Sequence, residues 1–270
     1  MADGQKEKRL DYTIADVIDI YSGPVGVLWQ MLMGDQIHVG GEAETEALAS
    51  RAGITGESRV LDVCSALGAP ARQLAARYGC TVVGLDATEK MVEMAEQQTQ
   101  AAGLSDQVNF RVGNALDMPF KEGSFTVVWG QDAWCYVTDK DRLVEEAFRV
   151  LEPGGTIAFT DWLQVGELTP GEWKDLNGFM AFPYIETLEG YEALLQRTGF
   201  EDVETEDLSG DFARYCHRYL DMLRTELKDG IIEGYGAEMY EAAEDGLKKW
   251  TAAADAGKVG RGSITGRKPQ

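Results

Sequence analysis

The chain has 270 residues, 44% of them hydrophobic, which is enough for one large domain with its own core. Its 46 acidic and 25 basic side chains give a formal net charge of −21, and this argues against nucleic acid as a partner, because phosphate backbones are bound by basic surfaces. No apolar run approaches the roughly 20 residues that span a bilayer, and the polar first twelve residues lack the apolar stretch of a secretory signal, so we expect no membrane partner and a cytoplasmic protein.

Short apolar runs alternate with helical patterns through the middle of the chain, which is typical of parallel βαβ units. Predicted strands cover residues 59–63, 81–85, 108–112, 125–130, 156–161, 200–206 and 262–268. Predicted helices cover residues 70–78, 89–102, 142–151, 188–198, 211–227 and 237–254, and a turn is predicted at 152–155. This order predicts an α/β fold with a doubly wound, seven-stranded, mostly parallel sheet, which binds its ligand outside the carboxyl ends of the strands.

The two ends of the chain exceed what a sheet and its helices need. We expect them to form a helical cap over the ligand site. The predicted domains are an N-terminal helical cap segment at 1–50, an α/β core at 51–208, inserted cap helices at 209–258 and a final core strand at 259–270.

The turn after the first strand is built of small residues, Cys64-Ser65-Ala66-Leu67-Gly68, preceded by Asp62. Small residues between a strand and a helix let the backbone approach a ligand. A dinucleotide fingerprint would place further glycines where Cys64 and Ala66 stand, so the turn is a weak signal for a nicotinamide cofactor. Asp86, 24 residues beyond Asp62 at the end of the second strand, can accept both hydroxyls of a ribose.

Cysteine and histidine usage gives little support for a metal or a disulfide. The chain contains Cys64, Cys80, Cys135, Cys216, His38 and His217. No CxxC or other ligand spacing links them. We therefore expect no metal site and reduced, mostly buried thiols.

These segments together resemble a known family. Asp62, Asp86, the turn at 114–115 and the Leu-Glu-Pro-Gly-Gly stretch at 151–155 are similar to those of the class I S-adenosylmethionine-dependent methyltransferases over about residues 58–162. Residues 33–40 (MGDQIHVG), 129–134 (WGQDAW) and 246–250 with 256–258 look like the sarcosine/dimethylglycine N-methyltransferases, which make the osmolyte glycine betaine. The phosphoethanolamine N-methyltransferases share the first two stretches more loosely.

The resemblance implies S-adenosylmethionine as cofactor, S-adenosylhomocysteine as product and a set of cofactor-binding residues. These residues are Asp62, Ser65, Gly68, Asp86, Ala87, Met91, Asn114, Ala115, Leu116 and Gln131. Within the set, Asp62 and Gln131 are expected at the methionine end, Asp86 at the ribose and Asn114 at the adenine. Purely structural roles stay open: a turn residue for Asp62, a helix cap for Asp86 and a core position for Met91.

The acceptor side is expected near the cap and the fifth strand. The predicted acceptor-side residues are Tyr21, Trp29, Trp134, Asp161, Trp162 and Arg214. Aromatic faces would favour a quaternary ammonium by about 0.5–2 kcal/mol each, although they can also serve plain packing. Arg214 could clamp an acceptor carboxylate.

Tyr136, His38 and Asp132 are the candidate catalytic residues, because each could accept the proton of an acceptor amine directly or through water. A tertiary amine such as dimethylglycine can lose its proton to solvent before attack, so a dedicated base is not obligatory. Tyr136 stands where the resembling N-methyltransferases often carry histidine, and this departure leaves both the base and the acceptor open.

The leading hypothesis is methyl transfer from S-adenosylmethionine to a small-molecule acceptor, namely the amine nitrogen of glycine, sarcosine or dimethylglycine in betaine biosynthesis. One alternative is a methyltransferase that acts on a thiol, a phosphobase or an isoprenoid carbon. Another is a non-catalytic module that binds S-adenosylmethionine. A nicotinamide oxidoreductase is disfavoured by the sparse glycines, and a homodimer stays open.

Overall fold

The structure is a computed structural model that describes residues 9–270, and its centre is one seven-stranded sheet in the order β3-β2-β1-β4-β5-β7-β6. The strands are β1 Arg59–Val63, β2 Thr81–Asp86, β3 Val108–Val112, β4 Phe125–Gln131, β5 Leu151–Gln164, β6 Glu201–Asp207 and β7 Val259–Arg267. Only β7 runs antiparallel to its neighbours, β5 and β6. The predicted seven-stranded, mostly parallel sheet is confirmed.

Helices cover both faces of this sheet, and further helices precede β1 and lie between β6 and β7. Within the described residues they are α1 Ile14–Ser22, α2 Pro24–Met33, α3 Gly41–Ala52, α4 Ala69–Tyr78, α5 Glu89–Ala101, α6 Lys140–Val150, α7 Pro170–Met180, α8 Leu188–Thr198, α9 Ser209–Arg224, α10 Lys228–Tyr235 and α11 Ala237–Asp255. None of them is long and apolar enough to cross a membrane. The first eight residues of the predicted cap segment lie outside the described residues.

The order of the strands fixes where a ligand can bind. The chain runs outward from β1 to β3 and then returns to the other side of β1 with β4, so connections leave these two neighbours in opposite directions. In open parallel sheets the crevice at such a point, beyond the carboxyl ends of the strands, is the usual ligand site. Here it lies between Val63 of β1 and Gln131 of β4.

The predicted turn at 152–155 is wrong. Helix α6 ends at Val150, and β5 begins at once with Leu151, which pairs with Phe125. The pairing then skips to Val127 opposite Thr156, so the Pro-Gly-Gly stretch is an irregularity inside β5. Gly154 accommodates it with a φ of 78°.

A hydrophobic cluster of its own holds the cap together. It joins side chains of α2, α7, α9, α10 and α11 to Trp162 on β5. Helix α7 lies within the range assigned to the core from sequence, yet it packs against α11, where the Trp250 indole donates to the Leu176 carbonyl at 3.2 Å. The cap therefore packs against the carboxyl end of β5, next to the crevice.

Candidate active site

Two adjoining cavities open at the carboxyl ends of β1, β2 and β4. The main cavity has about 700 Å³ of empty space, including the part open to solvent, and the side cavity has about 490 Å³. The main cavity is lined by Val17, Tyr21, Gln36, Ile37, Asp62, Cys64, Ser65, Ala66, Pro70, Asp86, Ala87, Thr88, Met91, Gln131, Asp132, Ala133 and Tyr136. The side cavity adds Asn114, Ala115 and Leu116 and shares Asp86, Ala87 and Tyr136 with the main one.

The turn after β1 has the backbone shape of a glycine-rich turn. Cys64, Ala66 and Gly68 all have left-handed φ values, of 64°, 44° and 68°. Such a conformation costs an L-residue about 1–2 kcal/mol, which explains why glycine is expected at these positions. The side chains at 64 and 66 stay small enough to line the main cavity.

Gly68 does not line either cavity and caps the start of α4 instead. A Cβ atom there would stand 2.2 Å from the Phe110 ring. The glycine is thus explained by the helix start and by packing, and the prediction that it contacts the cofactor is corrected.

Asp62 is a buried carboxylate whose Oδ2 atom has no partner within the described residues. Burial, and then the charge of Asp86, raise the pKa of Asp62 to about 7. A carboxylate in this state gains from any cation that enters the cavity.

Asp86 lines both cavities and is held in place by the backbone. Its Oδ2 atom accepts from the Ala66 N–H at 2.9 Å and its Oδ1 atom from the Thr88 N–H at 2.8 Å. Burial raises the pKa of Asp86, and these N–H donors oppose that rise. Each oxygen keeps a lone pair, so the group can still accept two hydroxyls.

The segment after β3 forms the floor of the side cavity. The Asn114 Oδ1 atom accepts from the Leu116 N–H at 2.9 Å, which closes a tight turn. Asn114, Ala115 and Leu116 therefore line the side cavity together.

A narrow aromatic compartment lies beside the main cavity, with about 240 Å³ of empty space, including the part open to solvent. It is lined by Tyr21, Trp29, Met33, Ile37, Asp132, Tyr136, Trp162, Met180 and Phe182. The rings meet edge to face, with centroids 5.3 Å apart for Tyr21 and Tyr136 and 4.7 Å apart for Tyr136 and Phe182. Tyr21, Tyr136, Asp132 and Ile37 line both spaces, so a group bound in one faces a group bound in the other.

Asp132 lies at this junction and is fixed on two sides. It follows β4 with a left-handed φ of 53°, and it accepts from the Val39 N–H at 2.8 Å. The Arg261 Nε atom, on β7, contacts both of its oxygens, at 2.7 and 2.9 Å, and Arg261 also pairs with Glu44 at 3.2 Å. Arg261 was missed from sequence, although an arginine between two glycines in an otherwise small and apolar strand was a usable signal.

The two tyrosines of the junction are not ready bases. Burial raises the pKa of Tyr136 well above its ordinary value, and burial also raises that of Tyr21. Both phenols are therefore protonated at neutral pH. Tyr136 can accept a proton only as it passes its own on.

His38 is buried but lines none of the three spaces. Its Nε2 atom lies 3.0 Å from Thr45 Oγ1 and 3.1 Å from Gln36 Oε1, and its Nδ1 atom lies 3.1 Å from the Val39 carbonyl. Burial lowers the pKa of His38 to about 4. Because both ring nitrogens face protein oxygens, the prediction that His38 is a base in contact with the acceptor is corrected.

Three predicted acceptor-side residues also lie elsewhere. Trp134 is fully buried and stacks on Phe159, with centroids 4.1 Å apart. Asp161 is buried under the site, where it accepts from the Cys135 N–H at 3.0 Å and the Tyr191 hydroxyl at 2.5 Å. The Arg214 side chain is 72% exposed and pairs with Asp211 at 2.7 Å. These positions correct the expected acceptor contacts, while Tyr21, Trp29 and Trp162 do line the aromatic compartment.

The sequence matches one family of known proteins and is similar to several individual methyltransferases. Residues 61–159 match the family described as Methyltransferase domain. The chain is 30% identical over 247 residues to the glycine/sarcosine/dimethylglycine N-methyltransferase of Actinopolyspora halophila, which covers 87% of this chain and 43% of that protein. It is 29% identical over 276 residues to the sarcosine/dimethylglycine N-methyltransferase of Halorhodospira halochloris, with 96% and 95% covered. It is also 27% identical over 292 residues to the chloroplastic tocopherol O-methyltransferase of Arabidopsis thaliana, with 94% and 82% covered.

The fold is similar to that of a solved structure. The phosphoethanolamine N-methyltransferase 2 of Haemonchus contortus, in complex with phosphomonomethylethanolamine and S-adenosylhomocysteine, superposes with a TM-score of 0.86 at 23% identity. The match covers 96% of this chain and 61% of that one. The chain therefore spans 43% of the length of the Actinopolyspora protein and 61% of the Haemonchus protein.

Proposed function

This chain belongs to the class I S-adenosylmethionine-dependent methyltransferases, and we propose that it transfers the methyl group of S-adenosylmethionine to the amine nitrogen of glycine, sarcosine or dimethylglycine. The observation that carries this proposal is the aromatic compartment, which adjoins the main cavity and contains one carboxylate. The sarcosine/dimethylglycine N-methyltransferase named above supports the choice of acceptor.

The polar groups of the two cavities fit the donor. The unpartnered oxygen of Asp62 suits the ammonium at the methionine end, and the Ser65 hydroxyl and the Gln131 amide nitrogen are also buried without partners within the described residues. Asp86 would hold the ribose hydroxyls, and the turn at Asn114 would meet the adenine in the side cavity. When bound, S-adenosylmethionine supplies an electrophilic methyl on a sulfonium.

The aromatic compartment supports a small amine as acceptor. A nitrogen held there lies next to the main cavity, and fixing two reactants in line contributes up to about 7–11 kcal/mol in ideal cases. As the nitrogen gains a methyl it becomes cationic, and the faces of Trp29, Trp162 and the two tyrosines attract that charge by about 0.5–2 kcal/mol each. Asp132 adds a carboxylate at the junction, whose charge Arg261 balances in part, since Arg261 is shared between Asp132 and Glu44.

Of the three candidate bases, Asp132 and Tyr136 stay in the proposal. Asp132 contacts both spaces and carries an acceptor oxygen that a protonated amine can approach. Tyr136 would orient the amine through its phenol. For dimethylglycine the proton leaves to solvent, so the main contribution of both residues is position and charge.

A phosphobase is the second candidate acceptor, because its amine fits the same aromatic compartment and the Haemonchus neighbour is a phosphoethanolamine enzyme. The lining opposes its phosphate more than the single carboxylate of a glycine-derived amine, because a phosphate monoester carries about −1.5 to −2 charges and every charged residue that lines the three spaces, within the described part of the chain, is acidic. An isoprenoid is disfavoured by the small compartment, which Trp162 and Phe182 help to line.

The test is production of S-adenosylhomocysteine with a panel of acceptors: glycine, sarcosine, dimethylglycine, phosphoethanolamine, a thiol and a prenyl diphosphate. We expect turnover with at least one of the first three at the highest kcat/KM. Turnover confined to the other acceptors would contradict the proposed substrate. Binding of S-adenosylmethionine without turnover on any acceptor would favour the non-catalytic module, and binding of NADH alone would favour the oxidoreductase.

A further inference from the structure

We propose that His38 and Thr45 are positioning residues that orient the Gln131 amide so that its N–H groups bind the carboxylate at the amino-acid end of the donor. The inference rests on the proposed function, because it presumes S-adenosylmethionine in the main cavity. Gln131 ends β4, is 7% exposed and lines that cavity. Its Nε2 atom is buried and has no partner within residues 9–270.

A row of hydrogen bonds with a fixed direction leads to His38. It begins at the Glu42 carbonyl, which accepts a hydrogen bond from Gln73 Nε2 at 2.8 Å. A carbonyl can only accept, so this contact fixes the Gln73 amide with its nitrogen toward Glu42. The Gln73 Oε1 atom must then accept from Gln36 Nε2, at 2.9 Å. This leaves Gln36 Oε1, another acceptor, 3.1 Å from His38 Nε2. The neutral imidazole can donate to Gln36 only with its hydrogen on Nε2, and we assign this tautomer from the hydrogen-bond network.

The same hydrogen sets the direction of the next two bonds. Thr45 Oγ1 lies 3.0 Å from His38 Nε2 and 3.0 Å from Gln131 Oε1. With Nε2 as donor, its one hydrogen is shared between Gln36 Oε1 and Thr45 Oγ1, so the threonine oxygen accepts from the ring. The threonine's own hydrogen then goes to Gln131 Oε1, at 3.0 Å, rather than to Gln36 Oε1, at 3.4 Å. In the opposite tautomer, with the hydrogen on Nδ1, the Thr45 hydrogen would go to His38 Nε2, and neither the Gln36–His38 contact nor the Thr45–Gln131 contact would contain a hydrogen. In the Nε2–H tautomer, the one ring contact that lacks a hydrogen is that between Nδ1 and the Val39 carbonyl.

Because the Thr45 hydroxyl donates to Gln131 Oε1, the Gln131 Nε2 atom can donate its hydrogens to a ligand. The charged residues that line the main cavity within the described chain, Asp62, Asp86 and Asp132, are all acidic. The donor has one carboxylate, and a cavity whose charged side chains are all acidic can bind it through neutral N–H and O–H donors, such as the Gln131 amide and the Ser65 hydroxyl. A misoriented amide would present its oxygen to that carboxylate instead, so the orientation fixed by Thr45 matters for the affinity.

Calorimetry with two nucleosides tests the proposal on the full chain. S-adenosylhomocysteine carries the amino-acid end, and 5′-methylthioadenosine lacks it. We expect Thr45→Val to weaken binding of S-adenosylhomocysteine about tenfold, the scale of a hydrogen bond to a charged group, and to leave methylthioadenosine unchanged. Thr45→Ser should restore the affinity. Thr99→Val, which removes another buried threonine hydroxyl away from the cavities, is the matched control and should bind both as the wild type does.

Gln131→Glu gives a second test that does not depend on how Thr45→Val folds. It keeps an oxygen for the Thr45 hydroxyl and replaces the N–H donors by a carboxylate oxygen, so we expect a loss larger than tenfold for S-adenosylhomocysteine alone. Wild-type affinity for S-adenosylhomocysteine in both variants, or an equal loss for both nucleosides, would overturn the inference. A wild-type protein that binds neither nucleoside would overturn the proposed function and this inference with it.

Discussion

Asp62 and Asp86 place two carboxylates at neighbouring strand ends in a cavity without a basic lining side chain in the described chain. Burial raises the pKa of each, and for Asp62 the pKa is about 7 instead of the ordinary 3.8. Such a site favours a cationic ligand, since a positive charge lowers both pKa values again. Binding of the donor near pH 7 is therefore expected to release a proton.

The raised pKa of Asp62 predicts that this carboxylate lowers the stability of the ligand-free protein at high pH and strengthens the binding of the donor. An acid whose pKa is raised on folding holds an extra proton in the native state between about pH 4 and 7, so its contribution to stability is lost as the pH rises through this window. We expect ligand-free Asp62→Asn to melt roughly 2–5 °C higher than the wild type at pH 8, with the difference shrinking toward pH 4. The same variant should bind S-adenosylmethionine at least tenfold more weakly.

Melting curves at pH 5 and 8, together with calorimetry, check this expectation. Asp211→Asn is the control, because Asp211 is exposed and its ion pair with Arg214 lies on the surface. A wild-type melting temperature for Asp62→Asn at pH 8, or unchanged donor affinity, would contradict the account of Asp62.

Trp29 tests the role of the aromatic faces. It is buried, lines the aromatic compartment and meets Trp162 edge to face, with centroids 6.4 Å apart. Trp29→Leu removes the π face, so we expect the KM for dimethylglycine to rise about 3–10-fold with the KM for the donor unchanged. Trp29→Phe keeps a π face and should stay within about threefold of the wild type. Equal KM values for the acceptor in the two variants would show that the ring only fills space.

At the scale of elements, the strands that carry the site were predictable, whereas the bounds of β5 and the helix faces were not. Strands β1, β2 and β4 have apolar runs that lead to Asp62, Asp86 and Gln131, and parallel strands bring such ends to one edge. Helix α7 was missed because Pro170, Gly171 and Gly178 weaken its helical pattern. Arg214 was misplaced for a related reason: the face that α9 turns to the cap depends on packing against α11, which sequence periodicity does not give.

The packing of α11 on α7 supplies an element-scale prediction. A Cβ atom on Gly246, in the middle of α11, would stand 2.0 Å from the Phe179 ring. Gly246→Ala should therefore lower the free energy of unfolding by about 1–3 kcal/mol through overpacking. Gly230→Ala in α10, which meets nothing within 4 Å, should raise it by up to about 1 kcal/mol, because alanine is the better helix former. Denaturant titration measures both, and a stabilised Gly246→Ala would contradict the packing described.

At the scale of the whole molecule, contacts from distant parts of the chain meet at one carboxylate. Asp132 is held by Val39 in the N-terminal segment and by Arg261 on β7, and Arg261 lies 129 positions away in sequence. No local pattern encodes that meeting, and this is why Thr45 and the true position of His38 could not be derived from sequence. The arginine between Gly260 and Gly262 was a signal for Arg261 itself, but it did not indicate that the partner is Asp132. The position of Asp86 follows from its place at the end of β2 alone, so its location at the cavity was predictable.

The net charge of −21 gives a prediction for the whole chain. Repulsion among many charges of the same sign destabilises the folded state. Salt weakens this repulsion, because the Debye length falls from about 10 Å at 0.1 M to about 3 Å at 1 M. We expect the melting temperature to rise by several degrees, about 3–8 °C, between 0.05 and 1 M KCl. A melting temperature that does not rise with KCl would contradict the view that surface repulsion limits stability.

The central claim is that the main and side cavities hold S-adenosylmethionine through the carboxylates at the ends of β1 and β2. Calorimetric titration of S-adenosylhomocysteine into the wild type and Asp86→Ala measures this most directly. The account predicts one site per chain in the wild type and at least tenfold weaker binding in the variant, since the ribose hydroxyls lose a charged acceptor. No heat of binding in the wild type, or equal affinity in the two proteins, would contradict it.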